Sequence, residues 1–187
     1  MISFSVNGVS LQFYTDARVF SPRGLDAGTG AILSQIEFLP DDKVLDLGCG
    51  YGVVGIYAAK LIGADRVVLV DIDPVAVDLA KENAALNGVA ELSIQLSDGF
   101  HDLDAAGFTK IISNPPYHSD FSVAKRFIEK GFNRLKLGGF FYMVTKRREW
   151  YKQKFIAVFG GVKITEVDGY FVFRAEKRAP SYAKKRS

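Results

Sequence analysis

Residues 44–55, VLDLGCGYGVVG, constrain this chain more than any other stretch. Val44-Leu45-Asp46-Leu47 is short, apolar and followed at once by glycines, the pattern of a parallel strand covered on both faces. Gly48, Gly50 and Gly52 allow a tight turn with no Cβ between backbone and ligand. From Val53 the spacing through Ile56, Tyr57 and Leu61 predicts a helix. A strand, a glycine turn and a helix N-terminus, in that order, make a small-molecule site.

Glycine richness alone is shared by NAD, FAD, nucleotide and S-adenosylmethionine folds, so the neighbouring residues must decide. Asp46 lies two residues before the first glycine, where a dinucleotide enzyme must place a pyrophosphate. A carboxylate there repels phosphate but attracts the ammonium and sulfonium of S-adenosylmethionine. The Gly-Lys-Ser/Thr ending of a phosphate loop is missing, which argues against a nucleoside triphosphate. A structural βα turn with no ligand is the alternative, and the residues below weigh against it.

At 187 residues the chain is most simply one domain with a core that needs no staples. We divide it into an N-terminal hairpin extension over 1–19, a catalytic core over 20–175 and a basic, mobile tail over 176–187. No apolar run reaches membrane-spanning length, and Met1–Asn7 lacks the marks of a signal peptide, so the expected location is cytoplasmic. The single Cys49 excludes an internal disulfide; it reads as a space-filling residue of the turn rather than a nucleophile. With only His101 and His118, no metal site is expected. The net charge of +3 is concentrated late in the chain. Lys146–Lys154 holds five bases and one acid beside Trp150 and Tyr151, and Arg174–Ser187 holds six bases and one acid.

Taken in order, Ile2–Val6 and Val9–Tyr14 form two strands joined by Asn7-Gly8, a hairpin turn signal. Phe20–Thr29, FSPRGLDAGT, reads as irregular: a connector, or a lid over the ligand. A helix is predicted over Ala31–Leu39, ended by Pro40. Arg66–Val70 is a second buried strand, and Asp73-Pro74 starts the helix Pro74–Leu86, which stops at Asn87-Gly88. Asp73 thus has a structural task and Asp71 has none. Asp71 lies at the strand's carboxyl end, 21 residues past Gly50, where it can accept both ribose hydroxyl protons. Leu92–Leu96 is the third strand; Asp98 after it is placed to accept from an adenine amine, or is a loop carboxylate. Lys110–Ser113 is the fourth, and a helix capped by Ser119 or Asp120 runs to about Leu135. Leu137-Gly138-Gly139 turns into a fifth strand, Phe140–Thr145, then a helix spans Trp150–Phe159. Val162–Val167 and Tyr170–Arg174, joined by Asp168-Gly169, close as an antiparallel pair. Strands alternating with helices and ending in a hairpin imply an α/β, doubly wound, mostly parallel sheet.

Asn114-Pro115-Pro116-Tyr117 follows the fourth strand, beside the glycine turn at the sheet's carboxyl edge. The prolines fix φ and present carbonyls that their neighbours cannot easily satisfy. A planar exocyclic amine could donate to the Asn114 side-chain oxygen and the Pro115 main-chain oxygen while Tyr117 stacks on its ring. That makes the nitrogen more tetrahedral and aims its lone pair at a sulfonium methyl. Positioning then suffices, and no dedicated base is required. A rigid loop with a surface aromatic is the bland alternative. Pro116 completes the loop; His118 either contacts substrate or caps the next helix.

With these residues assembled, the chain resembles Rossmann-like S-adenosylmethionine-dependent methyltransferases with an Asn-Pro-Pro-aromatic motif. Within them it is most similar to the methyltransferase-small-domain group, typified by ribosomal RNA guanine-N2 methyltransferases. FSPRGLDAGT, DLGCGYGVVG and IISNPPYH carry the likeness, which runs from about Phe20 to Arg174. It implies a seven-stranded sheet and S-adenosyl-L-methionine as cofactor, with no metal. By position, Asp46, Gly48 and Gly50 would border the methionine part, Asp71 the ribose and Asp98 the adenine. Asn114, Pro115 and Tyr117 would hold the target amine, with Pro116 and His118 touching substrate. The implied partner is RNA, ribosomal RNA or a ribosomal particle, with the basic segments supplying phosphate contacts. Larger members carry a further N-terminal degenerate copy that engages RNA. Adenine N6, a protein glutamine amide, and a non-catalytic RNA-binding role on the same fold stay open.

Overall fold

The computed structural model describes residues 1–16, 18, 24–115 and 120–182. Nine strands and five helices are present among them: β1 (Ile2–Val6), β2 (Val9–Phe13), α1 (Ala27–Leu33), β3 (Val44–Leu47), α2 (Val53–Ile62), β4 (Val67–Asp71), α3 (Pro74–Leu86), β5 (Ser93–Leu96), β6 (Phe108–Ser113), α4 (Phe121–Arg134), β7 (Leu135–Thr145), α5 (Glu149–Phe159), β8 (Lys163–Val167) and β9 (Tyr170–Glu176). A turn of 3-10 helix, Ala64–Arg66, takes the place expected for the first residue of the second strand.

Seven strands form one sheet in the order β5-β4-β3-β6-β7-β9-β8. All neighbours through β7 are parallel, and β9 and β8 close the edge antiparallel. The doubly wound sheet, the C-terminal hairpin and the separate β1–β2 hairpin are as the sequence implies. The chain runs outward from β3 through β4 to β5, then returns to β6 on the other side. The strand order therefore reverses at β3/β6, where open α/β sheets bind ligands beyond their carboxyl ends.

Alternation along each strand sorts side chains to the two faces. Val44, Leu69 and Ile112 join α1, α2 and α3 in one core, while Leu45, Leu47, Ile111 and Phe141 join α4 and α5 in the other. The β1–β2 hairpin belongs to the first core through Leu11 and Phe13, both fully buried. Asn83 and Asn87 of α3 bond to it: Asn83 Oδ1 accepts from Tyr14 N (2.7 Å) and Asn87 Nδ2 donates to Gln12 O (2.7 Å). Asn83 also donates to Tyr51 O (3.0 Å), so one buried amide ties hairpin, helix and glycine turn together.

Three local expectations are corrected. The first helix is Ala27–Leu33, not Ala31–Leu39. Asp26 starts it early by accepting from Thr29 N (2.9 Å), and it tightens to an end as Gln35 N and Ile36 N donate three residues back rather than four. Leu137-Gly138-Gly139 lies inside β7, not in a turn before it. The extra residues bulge opposite Phe108–Lys110, and Gly138 N and Gly139 O pair with Lys177 (2.8 Å each). That pairing also anchors the start of the tail we expected to be mobile. Lys177 is buried, its Nζ donates to Leu135 O (2.9 Å), and Tyr182 packs edge-on to Phe132. Residues 183–187 lie outside the described residues, as do 20–23 of the lead-in.

Candidate active site

A cavity of about 390 Å³ opens at the reversal point. Asp46, Gly48, Gly50, Asp71, Asp98, Asn114 and Pro115 all line it. Every expected site residue that is described therefore faces one space. Pro116, Tyr117 and His118 lie outside the described residues.

Asp46 is buried within β3 and faces α2. Its Oδ2 accepts from Gly55 N (2.8 Å), in the first turn of α2, so the carboxylate caps the helix that the glycine turn introduces. Only a glycine fits at 55, because a Cβ would come within 2.4 Å of the Leu69 side chain on β4. Burial pushes the Asp46 carboxyl up to about 7, and repulsion from Asp71 adds to this, against the Gly55 N–H. Its negative charge is thus poorly compensated by protein, and a cation in the cavity would stabilise it. Cys49 is buried beside it, and burial together with both carboxylates raises its thiol well above the usual range, which suits a filler and not a nucleophile.

Asp71 has structural tasks after all. Its Oδ2 accepts from Gly50 N (2.8 Å) and its Oδ1 from Asp73 N (2.9 Å), so it fixes the glycine turn to the start of α3. Sequence reasoning missed this because the turn must fold back by 21 residues before its N–H groups meet the strand end. Each carboxylate oxygen has two lone pairs, so a vicinal diol can still be accepted from the cavity side. Asp73 caps α3 through Val75 N (2.9 Å), as expected.

Asp98 holds Arg126 of α4 in a two-pronged pair (2.6 and 3.2 Å). Arg126 lines the cavity, and its Nε is buried without a partner. The sequence carried a faint sign of it: Val123, Arg126 and Phe127 share one helix face, a charge within an otherwise apolar stripe. Arg18, at the rim, is engaged by Asp16 through its Nε and Nη2 (2.8 and 2.6 Å).

Asn114 follows β6, and its Nδ2 donates to Asp26 Oδ2 (2.8 Å) and Thr29 Oγ1 (3.1 Å). The lead-in thus reaches the site through α1, and Tyr51 of the glycine turn holds it by donating to Gly24 O (3.2 Å). Tyr170, at the β8–β9 turn, is the other neighbour: a Cβ built on Gly28 would lie 3.1 Å from its ring and 3.3 Å from Asn114 Nδ2. Lys146 lies over the Tyr170 ring (4.9 Å) and Arg147 over Phe121 (5.1 Å), which stacks on Trp150 (4.3 Å). Within the basic segment Lys146–Lys154, Arg148 is paired with Glu149 and Lys154 with Glu129.

Fold and site together define a Rossmann-like methyltransferase: a reversed parallel sheet, and an acid-flanked glycine turn with Asn114 and Pro115 lining the same cavity. The methyltransferase small domain model matches residues 10–174, and the chain belongs to that family. Among relatives, Bacillus subtilis YbxB is 29% identical over 94% of this chain and 90% of its own length. Ribosomal RNA small subunit methyltransferase C of Idiomarina loihiensis is 31% identical over 95% of this chain and 53% of its own. The structure of the T. thermophilus 16S rRNA N2 G1207 methyltransferase RsmC, in complex with AdoMet and guanosine, superposes with a TM-score of 0.80 at 30% identity, over 95% of this chain and 50% of that one. The chain thus spans about half the length of its small subunit methyltransferase C relatives. Among the described residues no helix is long and apolar enough to cross a membrane.

Proposed function

We propose that this chain is an S-adenosyl-L-methionine-dependent N-methyltransferase acting on the exocyclic amine of an RNA base, guanine N2 in ribosomal RNA. The observation that carries the reading is the orientation of Asn114. Both amide hydrogens are taken by Asp26 and Thr29, which leaves Oδ1 as the polar atom for an incoming N–H.

The cavity suits the cofactor in size and charge. It falls within the range of small-molecule sites, and five carboxylates line it where a phosphate ligand would need cations. Asp71 would hold the ribose diol, and Asp46, Gly48 and Gly50 the methionine end. Asp98 and Arg126 would border the adenine. When bound, S-adenosyl-L-methionine supplies a methyl group on a cationic sulfur, an excellent leaving group, and departs as S-adenosyl-L-homocysteine. Asn114 Oδ1 and the Pro115 carbonyl accept the two N–H groups of the target amine and turn its lone pair toward the methyl. The amine then sheds its extra proton to water, so no side chain need act as a base.

An RNA acceptor is favoured by the cations and rings that follow β7 and open β9: Lys146 and Arg147 suit phosphate, and Tyr170, which shares Gly28 as a neighbour with Asn114, suits a base. The relatives named for ribosomal RNA methylation, and guanosine in the RsmC complex, support guanine as the base we propose. A two-part experiment tests the reading. Calorimetry should show S-adenosyl-L-homocysteine binding that Asp71→Ala weakens by tenfold or more, on the order of one or two charge-assisted hydrogen bonds. Transfer to RNA should vanish in Asn114→Ala while cofactor affinity survives. Parental transfer rates in Asn114→Ala would sink the amine clamp.

A further inference from the structure

We propose that Asp26 and Thr29 are positioning residues for methyl transfer, acting through Asn114. The inference rests on Asn114 as the amine acceptor and assigns the pair that sets its direction. Asp26 Oδ2 accepts from Thr29 N (2.9 Å), Thr29 Oγ1 (3.3 Å) and Asn114 Nδ2 (2.8 Å), while Thr29 Oγ1 also accepts from Asn114 Nδ2 (3.1 Å).

The donors and acceptors of this ring permit one arrangement. A hydroxyl has a single proton, and Thr29 gives it to the carboxylate, so the face it turns to Asn114 is a lone pair. The carboxylate is acceptor-only. A flipped amide would set Asn114 Oδ1 against two acceptors, so the amide is locked with Nδ2 toward α1. The negative charge on Asp26 also polarises the amide and makes Oδ1 a better acceptor. Asp26 is fixed in turn by its cap on α1, and Thr29 is buried. Space is short as well: a Cβ on Gly28 would press on Asp26 Oδ2 (3.0 Å) and Asn114 Nδ2 (3.3 Å). A device that orients without touching substrate should alter turnover and leave cofactor binding alone.

The test measures kcat, KM for RNA and calorimetric cofactor affinity, with thermal melts to confirm folding. Thr29→Val keeps the α1 cap and the side-chain shape but removes the hydroxyl; kcat should fall about three- to tenfold, the worth of one hydrogen bond, with cofactor affinity within about twofold. Asn114→Asp sets two carboxylates face to face and should cost kcat at least tenfold. If folded Asn114→Asp turns over within about twofold of the parent, or Thr29→Val turns over like the parent, the positioning role is overturned. Asn114→Ala separates the two levels. Its loss of transfer with unaffected Thr29→Val defeats only the present inference, whereas its full activity defeats the amine-acceptor reading beneath it.

Discussion

Asp46 offers the sharpest physical test of the cavity. The residue is 3% exposed, and burial raises its carboxyl to about 7 from the ordinary value of 3.8. The folded value lies above the unfolded one, so its contribution to stability is full below about pH 4 and is lost as pH rises through about 7. At 1.36 kcal/mol per pKa unit, the whole loss is about 4 kcal/mol, and about 2.5 kcal/mol of it falls between pH 5 and pH 8. Asp46→Asn keeps an oxygen for Gly55 N and removes the charge. Urea unfolding of ligand-free parent and variant at pH 5 and pH 8 isolates the effect, because other titrating groups are common to both. The variant should gain on the parent by about 2.5 kcal/mol over that range. Parallel pH slopes in the two proteins would refute a buried, poorly compensated carboxylate at this position.

Three further outcomes follow from the same geometry. Gly55→Ala forces α2 off β4 at Leu69 and should destabilise by about 1–3 kcal/mol in urea, the usual range for overpacking. Burial disfavours ionised Asp42, but Lys110, Thr109 and Leu39 N more than offset it and lower its carboxyl. That contribution is present above the unfolded value and lost as pH falls, so Lys110→Met should leave a buried unpaired charge, cost about 3–5 kcal/mol at pH 7, and shift acid unfolding to higher pH. Replacing Lys146 and Arg147 by Ala should weaken RNA binding and flatten its logarithmic salt dependence by about one to two units, read by filter binding from 50 to 200 mM salt.

The sheet was legible because its strands are short, apolar and punctuated by glycine, proline and asparagine, signals that act within a few residues. The cavity was legible for the same reason, since strand ends β3, β4 and β6 bring Asp46, Asp71 and Asn114 together by topology alone. What the sequence hid were contacts between distant segments. Asp26 meets Asn114 across 88 positions, and Asp71 meets Gly50 across 21. The first helix was misplaced because Ile32, Leu33 and Ile36 keep helical spacing past the true end, where Ile36 is buried by a tightened turn. Gly138 and Gly139 read as a turn because nothing local announces that Lys177 will return to pair with them.

The central claim is that an amide locked by α1 presents an RNA base amine to a cationic methyl donor. Nucleoside mass spectrometry of ribosomal RNA incubated with the full chain and S-adenosyl-L-methionine tests it most directly. The account predicts N2-methylguanosine, absent with Asn114→Ala. N6-methyladenosine in its place, or RNA left unmodified by a folded protein that binds the cofactor, would contradict it.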